Sequence, residues 1–188
     1  MKIFRSAFEA GRWAPASVVS IGKFEGMHRG HRKTIALALR RARALATRCL
    51  VLTFDPYPQQ VLGDRPYTPM VGLPEKLRLL ESLGVDGVVL LPFSRSLACQ
   101  APEAFAKDVL AEQLRPMEIY VGADFCFGRD RSGRVETLES LGPELGFSVK
   151  AVKLVSEGGE KVSTSRIRKL LDEGKRKQAE ALLGRSLP

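Results

Sequence analysis

A chain of 188 residues, 44% of them hydrophobic, can bury one well-formed core and reads as a single domain over residues 1–188. Apolar runs such as residues 85–92 (VDGVVLLP) are far too short to cross a bilayer, and MKIFRSAFEAGRW lacks the unbroken apolar core of a signal peptide. The net charge of +9 is concentrated in residues 1–50, where eleven Lys/Arg stand against Glu9 and Glu25, which fits a polyanionic partner: nucleic acid, an anionic membrane or a nucleotide phosphate. In chain order, strands are predicted over residues 17–21 (SVVSI), 49–54 (CLVLTF), 87–91 (GVVLL), 118–121 (EIYV) and 148–154 (SVKAVKL). Amphipathic helices are predicted between them over residues 31–46, 74–83, 102–114 and 137–145, with two short helices at 163–171 and 175–183. Within the first of these helices, Arg40, Arg41 and Arg43 read as a solvated face. Prolines in LPEK and APEA mark helix starts, and Gly84, Gly146 and Gly174 follow apolar helical stretches as C-caps. Strand–helix alternation of this kind predicts a doubly wound, Rossmann-like α/β domain with a parallel sheet of about five strands. Its ligands belong at the carboxyl ends of the strands. Cys49, Cys99 and Cys126 form no CxxC pair, which argues for a reducing compartment, the cytoplasm, and against a disulfide framework or thiolate zinc site.

Both histidines of the chain fall in GKFEGMHRGH, residues 22–31. Gly22 closes the first strand and a helix begins near Gly30 or His31, the junction where open α/β sheets bind anions. His28 in the turn and His31 in the first helical turn can face one pocket, and Gly26 and Gly30 leave room for a phosphate. Two ring donors there suit an oxygen that gains charge during a reaction. Zinc is disfavoured, because HExxH spacing and a third histidine are missing, and no GxxxxGK[ST] phosphate loop occurs. A second element, VSTSRIRKLL at residues 162–171, sets Ser163, Thr164 and Ser165 before Arg166 and Arg168 at a helix start. Alone it reads as an N-cap. If its helix start converges with the first motif on one crevice, the pair can grip both ends of a triphosphate.

Together the two motifs resemble the G-x-F-D-G-x-H-x-G-H and S-S-T-x-I-R signatures of the nucleotidyltransferase superfamily. TFDPYPQQVL, TPMVGLPEKLRLLESLGVD and VGADFCFGRDRSG are similar to the FMN adenylyltransferase module of bacterial bifunctional riboflavin kinase/FAD synthetases, and LLGRSLP resembles the segment leading into the kinase module. The similarity covers residues 17–185. It implies ATP + FMN → FAD + pyrophosphate with Mg2+, in the nucleotidyltransferase type of Rossmann-like fold. Carried over by position, His28 and His31 would stabilise the α-phosphate in its transition state, and Ser163, Thr164 and Ser165 would bind the phosphate tail. Arg168 would take the leaving pyrophosphate. Gly22, Lys23, Phe24, Glu25 and Gly30 complete the ATP side; Asp55, Pro56, Asp124, Phe125, Phe127 and Gly128 mark the FMN side. No protein metal-ligand cluster is expected, since Mg2+ would bind through phosphates, water and at most one carboxylate. Nor is a general base: FMN's phosphate has a second pKa near ~6 and is already ionised at neutral pH.

The sequence departs from the family pattern at Glu25, where Asp is usual, and at Lys23, whose charge either contacts a phosphate or faces solvent. It also stops before any riboflavin kinase module, as either a shortened piece or a stand-alone adenylyltransferase, so riboflavin phosphorylation is not expected. A cytidylyltransferase acting on a phosphorylated alcohol is disfavoured by FDPYP and GADFCFG. A non-catalytic nucleotide- or nucleic-acid-binding relative is disfavoured by the intact histidines and by basic residues that are not interleaved with exposed aromatics. Membrane and nucleic acid are therefore not expected partners, and nothing in the residues addresses the oligomeric state.

Overall fold

The structure, a computed structural model, describes residues 1–187; Pro188, the last residue of LLGRSLP, lies outside them. The chain opens with strand β1 (Lys2–Phe4) and helix α1 (Ala7–Trp13), whose N-cap Ser6 accepts the Glu9 N–H. It continues through β2 (Val18–Ile21), α2 (Arg29–Ala44), β3 (Cys49–Phe54), a short α3 (Pro58–Leu62), α4 (Leu73–Ser82) and β4 (Gly87–Leu91). Two single turns, α5 (Arg95–Ala98) and α6 (Pro102–Ala104), lead into a π-helix over Phe105–Leu114. Then come β5 (Glu118–Gly122), a hairpin of β6 (Cys126–Phe127) and β7 (Gly133–Arg134), α7 (Val135–Leu145) and β8 (Ser148–Val152). A second hairpin, β9 (Ser156–Glu157) with β10 (Glu160–Lys161), precedes α8 (Thr164–Asp172) and α9 (Arg176–Leu183).

The central sheet is parallel, in the order β1-β4-β3-β2-β5-β8. It has six strands where about five were expected. The addition is β1, which pairs Lys2 with Gly87 at the sheet edge. Three residues are too few to display a period of two, so KIF carries no strand signal of its own. The inner strands are apolar on both faces, as a sheet covered on both sides requires. Val19, Ile21, Leu50, Leu52 and Val89 point into one core with α1, the π-helix and α7. Val18, Val51, Val88 and Leu90 point into the other with α2 and α4. Phe105, Val109, Leu110 and Leu114 recur every four to five residues, a spacing that the wider π turn brings to one buried face. Gly11 lets α1 approach the π-helix closely, since a Cβ there would sit 2.0 Å from the Gln113 carbonyl oxygen.

A third apolar cluster, with Val162, Ile167, Ala179, Leu182 and Leu183, joins α8 to α9. The strand order reverses at β2, which lies between β3 and β5. The turns that follow β2 and β5 therefore rise on either side of the topological switch point. Among the described residues no helix is long and apolar enough to cross a membrane.

Candidate active site

The turn after β2 is tightly wound. Phe24 and Met27, both buried, take the left-handed conformation at φ +49° and +46°, which costs an L-residue about 1–2 kcal/mol each. Such backbone persists where its surroundings hold it, and functional turns are where it concentrates. Phe24 folds back beneath Gly22, where any Cβ would lie 2.9 Å from its ring. It meets His31 edge to face at a centroid distance of 5.4 Å.

His28 is the N-cap of α2: its Nδ1 accepts the His31 N–H at 3.3 Å, a task usually given to Ser, Thr, Asp or Asn. The tautomer follows, with the proton on Nε2 as the outward donor. The two imidazoles stack at 3.6 Å with 18° between their planes. His31 Nδ1 is buried and has no partner among the described residues.

Burial, with the nearby Lys161 charge, pushes His28 down from its ordinary 6.5 to about 4. Burial, then the charges of His28, Lys23 and Lys161, holds His31 well below the ordinary value. Both rings are thus neutral at pH 7, donors without full charge. Between pH 6.5 and 4 the unfolded chain takes up protons that the folded chain refuses, so stability falls as pH drops through that window. His28 alone accounts for about 3 kcal/mol of this fall, complete below about pH 4. Urea titrations at pH 7 and pH 4.5 should show the loss. His28→Asn, which keeps an N-cap acceptor, should show less of it.

The second motif meets the first, although they are far apart in sequence. A Cβ on Gly26 would lie 3.5 Å from Thr164 Oγ1, so the start of α8 abuts the histidine turn. Ser163 serves as the α8 N-cap, accepting the Arg166 N–H at 3.2 Å, and Ser165 is exposed.

Two residues expected on the ATP side are held by other parts of the protein. Glu25, placed on the ATP side by its position in the motif, is buried with both carboxylate oxygens engaged by the protein. Oε1 accepts from Arg168 Nη2 at 2.5 Å and from the Met70 N–H at 3.1 Å, and Oε2 accepts from the Tyr67 hydroxyl at 2.5 Å. Burial raises the Glu25 carboxyl pKa, but Tyr67, Met70 and Arg168 outweigh it and the net shift is downward. Arg168, expected on the leaving pyrophosphate, shares Nη2 among Glu25, the Thr68 carbonyl at 2.7 Å and the Tyr67 hydroxyl at 3.3 Å. Glu25 thereby joins α8 and the 67–70 segment to the turn.

On the other side of the switch point, Asp124 ion-pairs with Lys161, and both charges are felt at His28. Lys23 is exposed as a residue, yet burial around its ammonium, partly opposed by the Glu25 charge, lowers its pKa. Phe125 stacks on Phe127 at 5.6 Å, and Gly128, at φ +69°, packs against Pro102. Asp55 pairs with Arg5 at 2.7 Å, and the exposed Pro56 follows it through a cis peptide bond. Sequence reasoning missed Lys161 and Tyr67. Lys161 stands two residues before Ser163 and Tyr67 one before Thr68, so adjacency to those segments was the available signal.

The site is thus an open parallel sheet with a His-x-x-His turn at its switch point. Pantothenate synthetase from Thermus thermophilus shares the fold at a TM-score of 0.56 and 19% identity, covering 97% of this chain and 72% of that one. The chain belongs to the FAD synthetase family, which it matches over residues 12–166. It is 36% identical to a putative bifunctional riboflavin kinase/FMN adenylyltransferase of Geobacillus thermodenitrificans, over 93% of each chain. To the bifunctional riboflavin kinase/FMN adenylyltransferase of Escherichia coli K12 it is 34% identical over 89% of its length, and it spans only 54% of that protein. A macrolide-efflux protein structure from Streptococcus pneumoniae superposes with a TM-score of 0.84 at 28% identity, over 98% of this chain and 61% of that one.

Proposed function

We propose that this chain transfers the adenylyl group of ATP to FMN. An ionised oxygen of the FMN phosphate attacks the α-phosphorus, the bond to the β-phosphate oxygen breaks, and FAD and pyrophosphate leave. The observation that carries the reading is the stacked, neutral histidine pair at the α2 N-terminus, set against the start of α8 in a chain of the FAD synthetase family.

His28 Nε2–H and the His31 ring donate to the α-phosphate oxygens as they gain charge. The Lys23 and Lys161 charges, both felt at His31, offset the negative charge of the triphosphate. Thr164, beside Gly26, receives the phosphate tail with Ser163 and Ser165. Arg168 acts through its clamp on Glu25, holding the 67–70 segment over the turn. This inventory positions and neutralises, which is what an in-line displacement at phosphorus requires.

Mg2+ travels with the nucleotide in this reading, and when bound it neutralises phosphate charge. Among the described residues no group of three His, Cys, Asp or Glu is placed to cage a metal. Asp124, expected on the FMN side, is held by Lys161. FMN lies on the side of Asp55, Pro56, Phe125, Phe127 and Gly128. Three free cysteines, Cys49, Cys99 and Cys126, support work in the reducing cytoplasm.

Purified protein given ATP, Mg2+ and FMN should yield FAD and pyrophosphate. A protein that makes no FAD, yet forms a flavin-free nucleotide product from CTP, would overturn the assignment in favour of cytidylyl transfer.

A further inference from the structure

Lys76 is fully buried, with 0% of its surface exposed. Its Nζ donates to Thr53 Oγ1 and to the Phe54 carbonyl, each at 3.3 Å, and lies 4.2 Å from the centre of the Tyr57 ring. No described carboxylate lies within ion-pair distance of it. Burying an ammonium on neutral acceptors is costly, and a cation near the first turn of α4 opposes the helix dipole as well. A methionine would fill the same space with neither penalty. The Tyr57 ring and the two acceptors offset only part of that cost.

Its position gives a reason for a lysine. The Phe54 carbonyl is the last of β3, immediately before Asp55 and Pro56 on the flavin side. The Thr53 hydroxyl, which accepts from Lys76, donates in turn to the Lys23 carbonyl at 2.9 Å, at the head of the histidine turn. One buried ammonium thus anchors the roots of both substrate-binding segments, directly at β3 and through Thr53 at the turn.

We propose that Lys76 is a positioning residue that sets the spacing between the histidine turn and the Asp55–Pro56 segment, and so between the adenylyl donor and its acceptor. The titratable groups facing it are Asp55 beyond β3, Glu25 in the turn and Tyr57 at the head of α3. Burial, partly opposed by Asp55 and Glu25, moves its ammonium down to about 8, so it remains mostly charged at neutral pH.

The kinetic consequence rests on adenylyl transfer as the activity; the geometric one does not. The test compares Lys76→Met, Thr53→Val and Thr53→Ser by FAD-forming kinetics and, without substrates, by the ring NMR signals of the two histidines. Lys76→Met and Thr53→Val should both displace the His28 and His31 signals and lower kcat about tenfold or more, with smaller changes in KM. Thr53→Ser, which keeps the hydroxyl, should return both readouts close to wild type. A folded Lys76→Met protein with unmoved histidine signals and kcat within about threefold of wild type would overturn the proposal. Should Lys76→Met fail to fold, Thr53→Val decides alone: histidine signals at their wild-type positions overturn the relay. Should the wild type form no FAD, the histidine signals still judge Lys76, and only the adenylyl-transfer reading falls.

Discussion

His31→Ala lowers kcat for FAD formation about 10²–10³-fold and leaves the KM for ATP within a few-fold. That is the effect of removing one donor that strengthens only as charge develops. His31 is the cleaner of the two histidines to remove. His28 caps α2 and is buried, so its loss mixes catalysis with stability. His31 caps nothing; among the described residues its buried Nδ1 is unpartnered, and its ring stacks on His28 and meets Phe24 edge to face. Steady-state kinetics with ATP and FMN varied separately check this, with a urea midpoint to show that the variant is folded. A KM for ATP that rises as steeply as kcat falls would mean that His31 binds the ground state.

Arg168→Ala should be the most destabilising of the site substitutions, by about 3 kcal/mol. This is the lower end for breaking a buried pair, because Arg168 is about one-third exposed while Glu25 is 4% exposed. The loss comes from Glu25, left charged and buried with Tyr67 and Met70 as its remaining partners. Activity should fall with it, since the 67–70 segment loses the Thr68 bond as well. The double variant Glu25→Gln/Arg168→Met removes both charges and should be more stable than Arg168→Ala alone. Denaturant midpoints for the three proteins decide the matter, and equal midpoints for the single and double variants would deny the clamp. Glu25's contribution should be present above the ordinary carboxylate pKa and lost as pH falls below it, because its folded pKa lies lower.

The alternation of apolar strands and amphipathic helices made the layered fold legible, and the two motifs made the two helix starts legible. β1 was not, since its place at the edge depends on pairing with β4 more than eighty residues away. The partners of Glu25 were not legible for a different reason. Position within a motif says which turn a residue joins, whereas its direction depends on Tyr67, Met70 and Arg168, which only the fold brings there. Lys76 left no trace in the pattern: a lysine beside glutamate in LPEK reads as an exposed helix start, and its burial is a tertiary fact. Ser163 shows the converse, a local N-cap reading that held while long-range packing placed its helix at the site.

The strand order also bears on how the protein is made. β2 carries the histidine turn, but it gains its second neighbour only when β5 exists, and the turn meets its phosphate-binding counterpart only with α8. A chain emerging from the ribosome can pair β2 with β3 early and close the β1–β4 edge soon after. It then holds the histidines without their clamp for the synthesis of roughly eighty more residues. Substrate sites assembled in this order are completed last, after most of the sheet beneath them has formed.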